Sequence, residues 1–108
     1  MSASAKIRKH LGLIEYMLKI GATEREKQLL EMKNSTLKFL VNLILNIIYK
    51  KVDISDKSRD ELRPHKSDLV KFISKSESLK TRRDILMKDD TFKLWFSAII
   101  PDLRKTAL

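Results

Sequence analysis

The chain has 108 residues, of which 43% are hydrophobic, and its 23 lysines and arginines outnumber its 14 acidic residues to give a formal net charge of +9. This length suffices for one hydrophobic core but not for two independent ones, so we expect a single domain over residues 1–108. The absence of cysteine excludes disulfides, thiolate metal sites and a thiol nucleophile, and the low counts of two glycines and two prolines favour helices over a sheet with many tight turns.

The net charge favours a polyanionic partner. Excess positive charge on so short a chain attracts nucleic acid or an anionic surface and opposes self-association. The alternative is a solvated, lysine-rich surface that serves solubility alone. The first nine residues are small or charged and are not followed by the apolar stretch of a secretory signal, so we expect an intracellular protein.

The first predicted helix covers residues 4–20 and ends before Gly21, a natural helix terminator. Its apolar residues recur at helical spacing, namely Ile7, Leu11, Ile14 and Leu18. Lys6, Arg8 and Lys9 lie in its first turns, where the helix macrodipole disfavours cations. Either this end of the helix frays, or its positive charge binds an external partner.

The next segment contains a predicted capping box at residues 23–26, where Thr23 starts a second helix. Residues 37–49 then form a strongly apolar helix, which we expect to be the centre of the core. Its polar residues, Lys38, Asn42 and Asn46, recur every four positions and make one narrow stripe. Capping at residues 34–36 separates the two helices, unless residues 24–49 form one long, bent helix.

The second half of the chain alternates short helices with capped connections. Ser55 or Asp53 caps a helix whose apolar residues include Leu62 and Leu69, and Pro64 kinks or restarts it. A linker over residues 74–78 ends in another cap, Ser78, which starts a further short helix. Residues 89–91 end that helix and cap the next. The expected fold is therefore an all-α, compact single-domain bundle of about five helices around residues 37–49.

The last predicted helix covers residues 92–100 and is stopped by Pro101, with a frayed tail at residues 102–108. It is either a lid on the core or an attachment site for a second copy, a capsid wall or a membrane interface. Of these we expect a lid with partial exposure of Trp95. The apolar face in question consists of Phe92, Trp95, Phe96 and Ile99.

Candidate sites for chemistry are few. His10 and His65 lack the partner spacing of a metal pair or of a nucleophile and its base, so we predict no catalytic residue, no metal site and no cofactor. Basic residues cluster around the turn before residues 79–87, and we predict phosphate contacts from Lys75, Lys80, Arg82, Arg83 and the basic arm of Lys6, Arg8 and Lys9.

Several short motifs follow one another in a definite order. Residues 52–55 have the form apolar-x-apolar-Ser, residues 62–66 read Leu-x-x-His-Lys, and residues 78–83 read Ser-Leu-Lys-x-Arg-Arg before an apolar segment that ends in proline. Preceded by a basic helix and an apolar helix, this order resembles a family of small basic proteins encoded by adintoviruses and related Polinton (Maverick) DNA elements. The chain departs from that family at residues 89–92, where those sequences usually place Gly-Gly-Phe.

The resemblance implies a non-enzymatic, virion-associated protein that packages or organises a genome, similar to the small core proteins of adenoviruses, and it places the protein in the nucleus or the virion. Since no helix carries the mixture of Gln, Asn and Arg that reads bases, we expect weakly sequence-specific binding, most simply to DNA. The alternative is a structural interaction module, such as a minor capsid or cement protein, whose charge faces an acidic protein surface.

Overall fold

The computed structural model describes residues 3–107, which form helices and short connections without a strand in that range. The α-helices are α1 (Ala3–Lys19), α2 (Ala22–Glu31), α3 (Asn34–Ile48), α4 (Asp56–Leu62), α5 (Lys66–Ile73), α6 (Leu79–Met87) and α7 (Thr91–Ala107). Short 3₁₀ turns at Arg63–His65 and Lys88–Asp90 join α4 to α5 and α6 to α7. Of the described helices, five have nine or more residues. The predicted all-α bundle is confirmed.

Helix α3 is the central helix predicted from the apolar stretch. It packs against α5 and α6, and its buried residues are Leu37, Leu40, Val41, Leu43, Ile44 and Ile47. The predicted polar stripe faces outwards, because Lys38 and Asn42 are exposed and Asn46 is half-buried. The helix is therefore enclosed around most of its circumference and open along this stripe.

Helix α7 closes the core and lies along α1. The side chains of its predicted lid or attachment face are 0% exposed, namely Phe92, Trp95, Phe96 and Ile99. Trp95 meets the ring of Phe72 in α5 edge to face, with ring centroids 5.5 Å apart. The segment is thus a lid. The expected partial exposure of Trp95 is wrong, and this face is not available for protein interaction, because neighbouring helices cover it.

The predicted stop at Pro101 is also wrong. Helix α7 continues through Pro101 to Ala107, so the predicted frayed tail is helical over its described part, and Leu108 lies outside the described residues. A proline inside a helix removes a hydrogen bond and costs about 3 kcal/mol. Burial of the Leu103 side chain, which is fully enclosed, contributes in the opposite direction.

Polar contacts also hold the C-terminal half of α7. The Asp102 carboxylate accepts hydrogen bonds from the Ser55 backbone N–H at 3.2 Å and from the Ser58 hydroxyl at 2.7 Å, at the start of α4. Arg104 pairs with Glu15 of α1 at 2.8 Å. These contacts join sequence positions far apart, so local helix-stop signals do not reveal them.

Two of the predicted helix caps are confirmed. The Ser55 hydroxyl accepts a hydrogen bond from the Ser58 N–H at the start of α4, at 3.2 Å. The Ser78 hydroxyl does the same for the Thr81 N–H at the start of α6, at 3.1 Å. Each hydroxyl satisfies one of the N–H groups that the first helical turn leaves without a partner.

The predicted caps of α2 and α3 are wrong. Helix α2 begins at Ala22 with Gly21 at its N-cap, which places Thr23 inside the helix and breaks the predicted capping box. Helix α3 begins at Asn34, and its N-cap, Lys33, makes no side-chain cap. A single helix over residues 24–49 is excluded as well, because Lys33 and the residue before it have extended backbones.

Arginine side chains instead donate hydrogen bonds to the last carbonyl groups of helices, which lack partners within the helix. The acceptors are the carbonyl oxygens of Met17 and Ile20 for Arg25, Ile47 for Arg59, Ser74 for Arg82 and Leu29 for Arg83. The cation also complements the negative end of each helix dipole. Four arginines are thereby used inside the fold, at the ends of α1, α3, α5 and α2.

Arg25 is the most deeply buried of them, with 2% of its surface exposed. Its Nε and Nη2 donate to the carbonyls that end α1, at 2.9 and 2.7 Å, while Nη1 lies 3.1 and 2.9 Å from the two carboxylate oxygens of Asp90. Asp89 and Asp90 both have positive φ, 52° and 56°. Glycine adopts this left-handed conformation more readily than aspartate, whose Cβ crowds the backbone. Arg25 therefore fastens the strained turn before α7 to α1.

Lys50 ends α3 in a left-handed conformation, with φ of 61°. Its N–H donates to the carbonyl of Ile47 at 3.1 Å, and the N–H of Lys51 donates to that of Asn46 at 2.7 Å. This pair of bonds is the Schellman motif, in which glycine normally occupies the position of Lys50. A lysine there is strained because its Cβ crowds the backbone.

We expect Arg25→Lys to lower the free energy of unfolding by about 2 kcal/mol or more, because one ammonium group cannot reach two carbonyls and a carboxylate together. Urea unfolding followed by far-ultraviolet circular dichroism measures this change. The matched control is Arg63→Lys, whose side chain pairs with Asp60 at the surface and should change stability by less than about 0.5 kcal/mol. Equal effects of the two substitutions would contradict the role of Arg25.

We expect Lys50→Gly to raise the free energy of unfolding by about 0.5 to 1 kcal/mol, because relief of left-handed strain exceeds the added entropy of the unfolded chain. Lys51→Gly is the control, since it removes the same charge at a residue without positive φ and should destabilise. Thermal unfolding of both variants tests the pair. A loss of stability in Lys50→Gly would show that the lysine side chain, not the backbone conformation, matters here.

Candidate functional site

A groove of about 460 Å³ runs between the N-terminal half of α1 and the polar stripe of α3. Because α1 packs mainly along α7, this side of α1 is left open towards α3. We call it the basic groove, and its lining residues are Lys6, Ile7, Lys9, His10, Ser35, Lys38, Phe39, Asn42, Leu43, Asn46 and Val52.

Helical spacing aligns the polar residues of the basic groove on its two walls. On α1, Lys6, Lys9 and His10 stand three and four positions apart, so they share one face. On α3, Lys38 and the two asparagines repeat every four positions along the opposite wall. The groove therefore combines two features of the sequence that lie about 30 residues apart.

The lysines of the basic groove give it a positive charge. Lys6, Lys9 and Lys38 are exposed, and none of the described lining residues carries a carboxylate. Three lysines around one concave surface repel one another unless an anion neutralises them, and concave walls focus the field. Such an arrangement favours the binding of phosphate groups over that of neutral ligands.

The structure divides the predicted phosphate-binding residues into three groups. Lys6 and Lys9 line the basic groove, whereas Arg8 is exposed but is not one of the groove residues. Lys75 and Lys80 are exposed on other surfaces, and Lys80 lies 4.0 Å from Asp84.

Arg82 and Arg83 are half-buried, and their guanidinium groups are engaged within the protein. Arg82 Nη2 donates to the Ser74 carbonyl at 2.6 Å. Arg83 donates to the Leu29 carbonyl at 2.7 Å and to Asn34 Oδ1 at 2.8 Å. The phosphate contacts predicted for Arg82 and Arg83 stay a prediction, but their guanidinium groups are already engaged in holding helix ends together. The reason is that nearby carbonyls offer preorganised acceptors.

Sequence reasoning missed Lys38, His10, Asn42 and Asn46 as site residues. The polar stripe of α3 was visible as a spacing pattern, but nothing in that pattern indicates which helix faces it. Its pairing with α1 depends on how α1 is held against α7, which is a tertiary property.

A second concave surface lies between the end of α3 and the helices α4 and α5. This apolar hollow encloses about 290 Å³ and is lined by Ile47, Ile48, Ile54, Leu62, Leu69 and Val70, with Arg59, Arg63 and Lys66 at its rim. Val70 is 52% exposed. An exposed apolar surface rimmed by cations is typical of protein contacts.

The described residues contain no group of three or more histidines and carboxylates arranged to hold a metal ion. Both histidines are engaged in ring contacts, His10 with Phe39 and His65 with Trp95. Among the helices in residues 3–107, none is long and apolar enough to cross a membrane.

Comparison of the chain with protein-family models, with curated proteins and with solved structures finds no match in any of the three.

Proposed function

We propose that the protein binds nucleic acid through phosphate contacts in the basic groove. The observation that carries this proposal is the placement of Lys6, Lys9 and Lys38 around one concave surface whose described lining residues include no carboxylate. The net charge of +9 adds a long-range attraction for any polyanion. Lysine ammonium groups act as point charges, so contacts of this kind follow the backbone and carry little sequence information.

The resemblance to the small basic proteins of adintoviruses and Polinton elements supports a particular setting for this activity. In that setting the protein is non-enzymatic, resides in the nucleus or the virion, and helps to package or organise a DNA genome. Weak sequence specificity suits such a role, because a packaging protein must bind along the whole genome.

The test compares two triple variants with equal loss of charge. Lys6, Lys9 and Lys38 are changed to Gln in one, and Lys57, Lys71 and Lys93, which are exposed outside the basic groove, are changed to Gln in the other. Binding to labelled DNA of random sequence is measured by fluorescence anisotropy over a range of salt concentrations. We expect the groove variant to bind at least about tenfold more weakly. The slope of the logarithm of the binding constant against the logarithm of salt concentration should become shallower by about 0.7 to 0.9 for each phosphate contact removed.

The control variant should keep most of the affinity, because it removes only long-range attraction. Equal weakening in the two variants would show that net charge, not the basic groove, drives binding. Failure of the unmodified protein to bind DNA at low salt would remove the proposal.

The apolar hollow supports a second candidate function, contact with an acidic segment of another protein. Its floor can accept apolar side chains of a partner. Arg63 and Lys66 at the rim complement carboxylates that flank those apolar side chains. An amphipathic acidic helix has this combination of groups. A second copy of the chain is disfavoured as the occupant by its own positive charge.

We expect a synthetic acidic amphipathic peptide to bind the protein, and Val70→Glu to abolish that binding, since it places a carboxylate at the exposed apolar floor. The triple groove variant is the control, because it leaves the hollow intact. Anisotropy of the labelled peptide provides the measurement. Peptide binding that survives Val70→Glu but is lost in the groove variant would contradict this second function and assign the peptide to the basic groove.

A further inference from the structure

Two aromatic rings stack on each other in the walls of the basic groove. The imidazole of His10 on α1 and the ring of Phe39 on α3 have centroids 3.9 Å apart and planes inclined by 12°. Both residues line the groove and both are half-buried. Because Phe39 covers one face of the imidazole, a further ring can stack on His10 only at the opposite face.

The orientation of this ring pair is fixed by a further contact. Nδ1 of His10 lies 3.0 Å from the carbonyl oxygen of Lys6, one helical turn earlier, and donates a hydrogen bond to it. Phe39 is itself packed against the hydrophobic core. Phe39 holds the imidazole at one face, and the Lys6 carbonyl holds it at one edge. The ring therefore loses little conformational freedom when a second ring stacks on it.

The remaining groups of the basic groove match the other parts of a nucleotide. Lys6, Lys9 and Lys38 supply cations for phosphates, and the side-chain amides of Asn42 and Asn46 supply both donors and acceptors for base edges. In a duplex each base is stacked on its neighbours and paired at its edge, so it has no free face to place on His10. An unpaired base has such a face and can enter a concave site.

We infer that the basic groove takes single-stranded nucleic acid, with one base stacked on His10 and the flanking phosphates held by the groove lysines. This inference rests on the proposed function and specifies its ligand. The stacked base extends the His10–Phe39 pair into a stack of three rings.

Three probes of equal length separate this inference from simple phosphate binding. They are a strand of about 12 thymidines, the same strand without bases, and a duplex of matched length. The thymidine strand and the abasic strand carry the same phosphates, so a difference between them reports contacts to bases. We expect the thymidine strand to bind more tightly than the abasic strand. The affinity for the duplex should not depend on His10.

The decisive variant is His10→Ala. We expect it to weaken binding of the thymidine strand by about 5- to 150-fold, as expected for loss of one stacked base. The salt slope and the affinity for the abasic strand should not change. Tyr16→Ala is the matched control, since Tyr16 is an exposed aromatic residue of α1 outside the groove. A second variant, Phe39→Leu, removes the ring that backs His10 but keeps an apolar side chain against the core. Thermal unfolding checks that this variant keeps its fold.

The outcomes distinguish the inference from the proposed function. Equal binding of the thymidine and abasic strands, with both weakened by the groove lysine substitutions, would overturn the single-strand inference and leave the proposed function standing. A fall in the salt slope with His10→Ala would show that His10 contacts phosphate as a cation, which also overturns stacking. Absence of binding to every probe at low salt would remove both proposals together.

Discussion

The hydrogen-bonded contacts of the buried Arg25 are the constraint on which the arrangement of the helices depends. One guanidinium group on α2 joins the carbonyls that end α1 to the carboxylate of Asp90, in the turn that precedes α7. Burying an arginine is costly unless every donor is satisfied, so these acceptors must be held together for the fold to be stable. Because α1 and α7 are packed along each other, the same contacts also place one wall of the basic groove opposite α3.

Much of the fold could be predicted because its cause is local. Helical periodicity identified α1 and α3, and the hydroxyls of Ser55 and Ser78 mark helix starts for a reason that operates within four residues. The predicted helix stop at residue 101 was wrong because distant partners override a local signal. Pro101 indicates the end of a helix, yet Leu103 is buried beyond it and Asp102 bonds to α4. A capping box at Thr23 is equally local, and the helix begins instead at Ala22.

The candidate site could be predicted only in part, for a related reason. Lys6 and Lys9 were identified from their charge, and the stripe on α3 from its spacing, but the angle between two helices is set by contacts of the whole core. Sequence patterns give the face of a helix that is polar, whereas they do not give the element opposite that face. The stacked pair of His10 and Phe39 depends on this missing information, since its members come from different helices.

Arginine and lysine side chains occupy different places in this fold, because their charged groups differ in shape and hydration. A guanidinium group carries five donors in a rigid fork, so it suits helix ends, where several carbonyl oxygens converge. Arg82 and Arg83 make such contacts. Lysine has a single, strongly hydrated ammonium group, so it gains less from burial and stays at the surface. In this fold the lysines Lys6, Lys9 and Lys38 line the basic groove. If the groove binds phosphates as proposed, these lysines attract them without fixing their geometry, and selectivity then has to come from the stacked rings and the amides between them.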